Sequence, residues 1–279
     1  MLPSQSFWFA LYAVVGLLFG SFGNVVVWRF PRGESVVFPG SHCPACGAAV
    51  RWHDNVPVLS WVALRGRCRD CSAPISARYP VVEALSAVLW LAAAAAYGPG
   101  PRGLVAAVFF WALLVLSFID FDTMRLPNAI VALLAALGAA AALASELTGR
   151  PVAPLVGVAA SGVFASPLLA AVGGAAAAGG LSLGIAALYA SVRGRAGFGM
   201  GDVKLLAAMG PFLGAYALLA LVAGSLAGSV AGVALAIRSG EPVSAMRIPF
   251  GPFLALGGVA AALAGPSLVR WYASLVALG

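Results

Sequence analysis

The chain has 279 residues, of which 62% are hydrophobic and only 9% are charged, and its mean hydropathy is +1.00. Water-soluble domains carry roughly 25% charged residues, so this composition excludes a soluble globular protein and indicates a polytopic membrane protein. The net charge of +7 comes from 15 Arg and one Lys against nine acidic residues. In a membrane protein such an excess orients the loops. We therefore expect the lipid bilayer as a partner and no nucleic acid.

Apolar runs along the chain predict an all-α fold with about eight transmembrane helices. Six runs suit one span each, namely 7–28, 81–97, 103–119, 126–145, 171–192 and 248–269. The uncharged run 205–237 is too long for one span of about 20 residues and short for two upright helices. We interpret it as two short helices broken near its glycines and Ser225.

A second uncharged stretch, 151–192, is long enough to hold two spans. Its first half contains Pro151, Pro154 and Pro167 together with several Gly and Ser residues. Because proline disrupts a helix interior, we predict a loop or a partly inserted segment there, followed by one span.

The basic residues give this arrangement its sidedness. With the amino terminus outside, thirteen basic residues fall in inside loops and three fall outside, which agrees with the positive-inside rule. The inside residues are Arg29, Arg32, Arg51, Arg65, Arg67, Arg69, Arg78, Arg125, Arg193, Arg195, Lys204, Arg238 and Arg247. This topology predicts that Asp120 and Asp202 both lie at cytoplasmic helix ends. Two spans within 151–192 would instead place them on opposite faces.

All four cysteines lie in the polar segment 29–80, which the same topology places in the cytoplasm. They form two Cys-x-x-Cys pairs, Cys43 with Cys46 and Cys68 with Cys71, and this pattern is typical of a zinc site. Four thiolates would leave no open coordination position, so we expect a structural Zn²⁺ that staples a small loop domain. Two disulfides are the alternative, which a reducing cytoplasm disfavours. A mixed site including His42 or His53 also remains open, although we expect both to be peripheral.

Two aspartates are the candidate catalytic residues. Asp120 ends an apolar run, and Asp202 follows Gly199-Met200-Gly201 and begins another. Ionisable groups beside hydrocarbon are costly and usually functional, and two carboxylates brought together suit acid–base hydrolysis. Gly199 and Gly201 permit a tight bend and a close approach. Asp202 can alternatively cap a helix, and Lys204 can anchor the topology or influence the pKa of Asp202.

Several motifs together resemble the bacterial prepilin peptidases, a family of GxGD-type aspartic intramembrane proteases. The amino-terminal and loop motifs are Gly20-Ser21-Phe22-Gly23-Asn24-Val25, Trp28-Arg29-Phe30-Pro31, the cysteine pairs around Asn55-Val56-Pro57-Val58-Leu59-Ser60-Trp61, and Arg78-Tyr79-Pro80-Val81-Val82-Glu83. The later motifs are Ile119-Asp120 with Leu126-Pro127-Asn128, Gly199-Met200-Gly201-Asp202-Val203-Lys204, and Ile248-Pro249-Phe250-Gly251-Pro252-Phe253. Two departures are Ser72, where glycine is expected, and Asn128, where aspartate is common.

The resemblance implies a bifunctional enzyme of type IV pilus or type II secretion systems at the bacterial inner membrane. It would cleave the leader of prepilins or pseudopilins on the cytoplasmic face, with Asp120 and Asp202 as the catalytic pair. It would then N-methylate the new amino terminus with S-adenosylmethionine, although no motif marks a pocket for that donor. The domains expected are a first transmembrane helix (1–28), a cytoplasmic four-cysteine, methyltransferase-associated domain (29–80) and a transmembrane aspartic peptidase domain (81–279).

Three other functions remain open at this point. The first is a peptidase without methyltransferase activity. The second is a carboxylate-dependent transporter or channel, which would place its acids near the middle of the membrane. The third is a non-catalytic assembly factor that docks through the zinc loop and does not need either aspartate.

Overall fold

A computed structural model describes residues 4–156, 165–194, 198–240 and 248–277 of the chain. Within these ranges the structure is almost entirely helical, and strand pairing is limited to two isolated bridges. The α-helices are α1 (Gln5–Arg29), α2 (Leu59–Ala63), α3 (Arg78–Tyr97), α4 (Pro101–Thr123), α5 (Asn128–Thr148), α6 (Pro167–Arg193), α7 (Met200–Leu213), α8 (Ala217–Ser239) and α9 (Gly251–Ala277). The expected all-α class is confirmed.

The described part of the chain contains seven helical stretches that are long and apolar enough to cross a membrane. One of them, Met200–Ser239, contains both α7 and α8, so counting these separately gives the expected eight. The break falls at a glycine, as expected, but its predicted position near Ser225 was wrong. The chain turns at Gly214–Tyr216, where Gly214 has φ +53°, whereas Ser225 lies inside α8.

The chain divides into two compact units, Met1–Val115 and Leu116–Gly279, and the division falls within α4. The first unit contains the cysteine loop, and the second contains both candidate aspartates. The predicted division into 1–28, 29–80 and 81–279 follows function rather than compactness and stays a prediction.

In the first unit, α1 packs closely against α3. A Cβ atom on Gly20 would lie 2.6 Å from the Cα atom of Glu83, so a side chain there would force the two helices apart. The hydroxyl of Ser86 donates a hydrogen bond of 2.6 Å to the carbonyl of Gly16. Small residues and buried hydroxyls of this kind are typical of helix contacts in membranes.

In the second unit, α7 is the buried central helix and packs against α5, α6 and α9. The side chains of Leu205, Leu206, Met209 and Phe212 are fully buried. Because α7 begins with Asp202 in its first turn, this packing fixes the position of that carboxylate.

The segment after α5 also packs into the second unit. The backbone N–H of Leu155 donates to the carbonyl of Phe212 at 2.7 Å, and Leu155 is fully buried. The start of the predicted loop or partly inserted segment therefore lies against the end of α7, while residues 157–164 lie outside the described residues. One helix follows, as expected, and it begins at Pro167. Arg195 and Arg247, both counted as inside residues, also lie outside the described ranges.

Candidate active site and metal centre

Asp120 lies one turn before the end of α4 and is almost fully buried, at 5% exposure. The backbone N–H of Gly251, the first residue of α9, donates to its Oδ2 atom at 2.9 Å. The N-terminus of a helix carries partial positive charge, so it is a favourable position for a carboxylate. The apolar run thus ends in an acid whose orientation is set by a different helix.

Asp202 is the third residue of α7 and is half-buried. Its carboxylate is hydrogen-bonded to the backbone N–H of Gly199, the residue that precedes α7. The alternative that Asp202 is a helix N-cap is wrong in detail, since Gly199 occupies the N-cap position. Asp202 still satisfies an amide at this helix start, as acidic residues in a first turn commonly do.

The two aspartates belong to one site within the second unit. The charge of Asp120 acts electrostatically on Asp202, so the two carboxylates are close neighbours. The side chain of Leu126 lies against the starts of both α7 and α9: Cβ atoms built on Gly201 and Gly251 would approach it to 3.2 and 3.3 Å. The end of α4 and the starts of α7 and α9 therefore converge, although Asp120 and Asp202 are far apart in sequence.

Apolar side chains surround this site. Phe198 and Phe250 meet edge to face, with ring centroids 5.5 Å apart. Phe121, Met124 and Met200 are each about half exposed. These exposed apolar side chains suit contact with an apolar segment of a substrate or with lipid.

Lys204 lies on the exposed side of α7. Its Nζ atom donates to Oδ1 of Asn128, at the start of α5, with a distance of 3.0 Å. This contact links the starts of α7 and α5, a structural role beside the two predicted for Lys204, which stay predictions. It also gives Asn128, one of the two departures from the family pattern, a defined partner.

The four cysteines come together in the first unit. Their sulfur atoms all lie within 4.8 Å of one another, and Cys43 Sγ is 3.8 Å from Cys71 Sγ. Tetrahedral zinc with bonds of about 2.3 Å places its sulfur ligands about 3.8 Å apart, so the residues fit this metal. All four are free thiols rather than disulfides. Backbone N–H groups of Cys46 and Ala45 lower the pKa of the Cys43 thiol to about 6, whereas burial and the neighbouring thiols leave the pKa values of Cys46 and Cys71 above their usual range. The thiolate form that binds metal is therefore favoured at Cys43.

The two Cys-x-x-Cys turns have the same backbone pattern. In each turn, the N–H of the first cysteine bonds to an alanine carbonyl, Ala48 for Cys43 and Ala73 for Cys68. The residue after the second cysteine has positive φ in both, +72° at Gly47 and +60° at Ser72. Ser72, the other departure from the family pattern, is thus a serine at a position where the backbone favours glycine.

Ion pairs join the second cysteine turn to residues 51–54. Arg69 donates two hydrogen bonds to the carboxylate of Asp54, at 2.6 and 2.7 Å, and its guanidinium holds the pKa of Asp54 below its usual range. Arg51 pairs with Asp70 at 3.1 Å. His53 lies beside Asp54, and neither it nor His42 belongs to the described cysteine cluster. The expectation that both histidines are peripheral agrees with this arrangement.

A buried acid from α3 holds the same loop. Glu83 Oε2 accepts a hydrogen bond of 2.7 Å from the backbone N–H of Val58. Val58 has φ +62°, a conformation that is rare for a β-branched residue and is maintained only when its surroundings impose it. The loop is therefore fixed at one side by the cysteine turns and at the other by α3.

Sequence reasoning did not assign a role to Gly251. The signal was the glycine in Pro249-Phe250-Gly251-Pro252, just before a long apolar run. Such a glycine indicates a helix start or a close backbone approach, but sequence alone does not reveal which side chain it approaches. Here that side chain is Asp120.

Comparisons with known proteins agree with the motifs. Residues 14–97 match the model of the bacterial peptidase A24 N-terminal domain, and residues 107–237 match that of the type IV leader peptidase family. The chain is 37% identical to the prepilin leader peptidase/N-methyltransferase of Aeromonas hydrophila, over 95% of this chain and 93% of that protein. Proteins of the same name from Pseudomonas putida and Burkholderia pseudomallei (strain K96243) are 38% and 40% identical, over 94% and 90% of this chain and 93% and 84% of theirs.

No solved structure matches the chain. The relatives are nevertheless similar over 84 to 93% of their own length, and both family models match the chain in the expected order. The chain therefore belongs to the type IV leader peptidase family.

Proposed function

We propose that this protein cleaves the leader peptide of type IV prepilins or type II secretion pseudopilins, with Asp120 and Asp202 as its catalytic pair. The observation that carries the proposal is the convergence of these two carboxylates at helix ends, from positions far apart in the sequence. The names of the relatives supply the prepilin leader as the substrate, and the resemblance of the motifs adds the pseudopilins.

The proposed hydrolysis needs one aspartate ionised and the other neutral, because two close carboxylates do not readily ionise together. The ionised aspartate takes a proton from a water molecule while the oxygen of that water attacks the scissile carbonyl carbon. The neutral aspartate gives its proton to the carbonyl oxygen. The aspartate that took the proton of the water then gives it to the nitrogen, and the C–N bond breaks so that the amine leaves. A hydroxyl of the intermediate returns its proton to the other aspartate, which leaves a carboxylic acid and a pair with one proton.

The relatives' names also support a second reaction, N-methylation of the newly formed amino terminus. S-adenosylmethionine would supply the methyl group. We assign none of the described residues to the binding of this donor. The proposal therefore includes the methylation activity but no binding site for S-adenosylmethionine. The Zn²⁺ held by Cys43, Cys46, Cys68 and Cys71 would have a structural role, since four protein ligands close a tetrahedral site.

The proposed location is the bacterial inner membrane, with the active site facing the cytoplasm. The excess of basic residues in the loops beside Asp120 and Asp202 supports this orientation. A proton- or cation-relay transporter is less well supported, because its acids would lie near the middle of spans. Here Asp120 is three residues from the end of α4, and Asp202 is the third residue of α7.

The test is to incubate the purified protein in detergent or liposomes with a prepilin, with and without S-adenosylmethionine, and to measure product masses. We expect loss of the leader in both samples and one added methyl group only when the donor is present. Asp120→Asn and Asp202→Asn should each abolish leader loss while the protein remains folded and inserted. Substantial cleavage by either variant would reject the assignment of the pair.

A further inference from the structure

The contact between Gly251 and Asp120 joins two parts of the second unit that are 131 residues apart in sequence. It is buried, and its donor is a backbone amide at the start of a 27-residue helix. A helix start cannot rotate as a side chain does. The contact therefore fixes both the position of Oδ2 and the plane of the Asp120 carboxylate.

Only glycine fits this contact without displacing the acid. A Cβ atom at position 251 would lie 2.7 Å from Oδ2 and 3.2 Å from Cγ of Asp120, and 3.3 Å from Leu126 Cδ2. Real Cβ atoms essentially never approach another heavy atom closer than 3.0 Å. An alanine would thus push the carboxylate away from its donor.

Asp202 is held in a similar way by Gly199. The N–H of Gly199 is hydrogen-bonded to the Asp202 carboxylate, and a Cβ atom on Gly199 would lie 2.9 Å from Oδ2. Each aspartate therefore accepts a hydrogen bond from a glycine amide at a helix start. Gly199 belongs to the motif that the sequence marks, whereas Gly251 lies beyond residues 107–237, the stretch matched by the peptidase family model.

We infer that Gly251 is a positioning residue for the peptidase reaction: its backbone N–H holds Oδ2 of Asp120, so that Oδ1 faces the reacting water and Asp202. This inference rests on the proposed function. Geometry of this kind matters because a misplacement of about 1 Å in a catalytic group can reduce the rate by about 100-fold. The Gly251 amide thereby makes α9 a third element of the active site, alongside α4 and α7.

The first test is Gly251→Ala in the full-length protein, with steady-state cleavage of a fluorogenic prepilin peptide. We expect kcat to fall by about 100-fold while KM stays close to that of the unmodified protein, because substrate binding does not use this amide. The matched control is Gly228→Ala on α8. Its Cβ atom would lie 3.4 Å from the rings of Phe250 and Phe253, an ordinary contact beside the same turn, and its kinetics should be unchanged.

The second test removes the donor without adding an atom to the site. Glycolic acid placed at position 251 by nonsense suppression replaces the N–H with an ester oxygen, and kcat should again fall with KM preserved. This variant decides the matter if Gly251→Ala does not insert. A wild-type kcat for the ester variant, or a loss that appears only in KM, would overturn the positioning role.

A different result, cleavage by an aspartate variant, would contradict the proposed function. If Asp120→Asn or Asp202→Asn still cleaves, the pair itself is wrong, whatever Gly251 does. If both aspartate variants are inactive and the ester variant cleaves normally, only the role of Gly251 is wrong.

Discussion

Lys204 follows Asp202 by two positions, yet its ammonium group donates a hydrogen bond to the exposed side chain of Asn128. A hydrogen bond of this kind contributes about 1 kcal/mol or less, and solvent screens its charge. We therefore expect Lys204→Met to reduce the rate of leader cleavage by less than about fivefold, the equivalent of 1 kcal/mol. A peptide-cleavage assay checks this, with Asp202→Asn as the inactive reference. A loss as complete as that of the reference would show that Lys204 acts in the chemistry.

Ser72 illustrates a second effect at this scale, the conformation of one backbone residue. Its φ of +60° is unfavourable for serine, while Gly47 occupies the equivalent position without that cost. Ser72→Gly should stabilise the metal-bound loop by up to about 1 kcal/mol. The measurement is the midpoint of zinc release in a chelator titration of the full-length protein. Gly47→Ala is the matched control, and it should shift the midpoint in the opposite direction. If both variants shift the midpoint equally, or if each shifts it in the direction opposite to the one expected, the conformational cost assigned to Ser72 is contradicted.

Single residues also mark the limit of sequence reasoning about this site. Asp120, Asp202 and the four cysteines could be selected from residue type, spacing and setting alone. Gly251 could not, because its role depends on contact with a side chain 131 residues away. Similarly, the contact of Lys204 with Asn128 was not among the two roles predicted for that lysine, because Asn128 lies 76 positions away in the sequence.

At the scale of elements, the membrane helices were predictable because length and apolarity define a span. The break between α7 and α8 was misplaced because several glycines in the run 205–237 look alike in sequence. The structure favours Gly214 for two reasons: its backbone has positive φ, and the carbonyl of Phe212 is satisfied by Leu155 from outside the helix. The second reason is a tertiary contact, which a periodicity argument does not contain.

The cysteine loop is the element whose stability depends most on a ligand. It has few buried aliphatic side chains, so the metal should provide much of its folding free energy. We expect the double substitution Cys43→Ser with Cys46→Ser to abolish bound zinc and to make residues 41–75 sensitive to protease. Elemental analysis and limited proteolysis measure the two effects.

The control for that experiment is His42→Ala with His53→Ala. These substitutions should leave one zinc ion per chain, since neither ring belongs to the cysteine cluster. Zinc retained by the double cysteine variant would contradict the four-cysteine site. Zinc lost from the histidine variant would favour a mixed site.

At the scale of the whole molecule, the distribution of basic residues implies that both aspartates face one compartment. Reporter fusions test this directly. Fusions after Met124 and after Gly194 should report the cytoplasm, and a fusion after Gly149 should report the opposite side. Opposite locations for the fusions at 124 and 194 would separate the aspartates and exclude a shared site.

The apolar spans were the most predictable property of the molecule, because hydropathy acts over long stretches, while the sidedness read from the basic residues stays a prediction. The meeting of Asp120 with Asp202 was an inference from that topology, and it required 151–192 to hold a single span. In the described part of this stretch, one long helix follows a segment that packs against α7.

The central claim is that Asp120 and Asp202 act as one catalytic unit, and a double-mutant cycle tests it most directly. Cleavage rates of a prepilin peptide would be measured for Asp120→Asn, Asp202→Asn and the double variant, all at matched amounts of inserted protein. Residues that act as a unit are strongly non-additive, so each single variant should lose nearly all activity and the double variant should be no slower. Losses that multiply in the double variant, or a single variant with near-normal activity, would contradict the account.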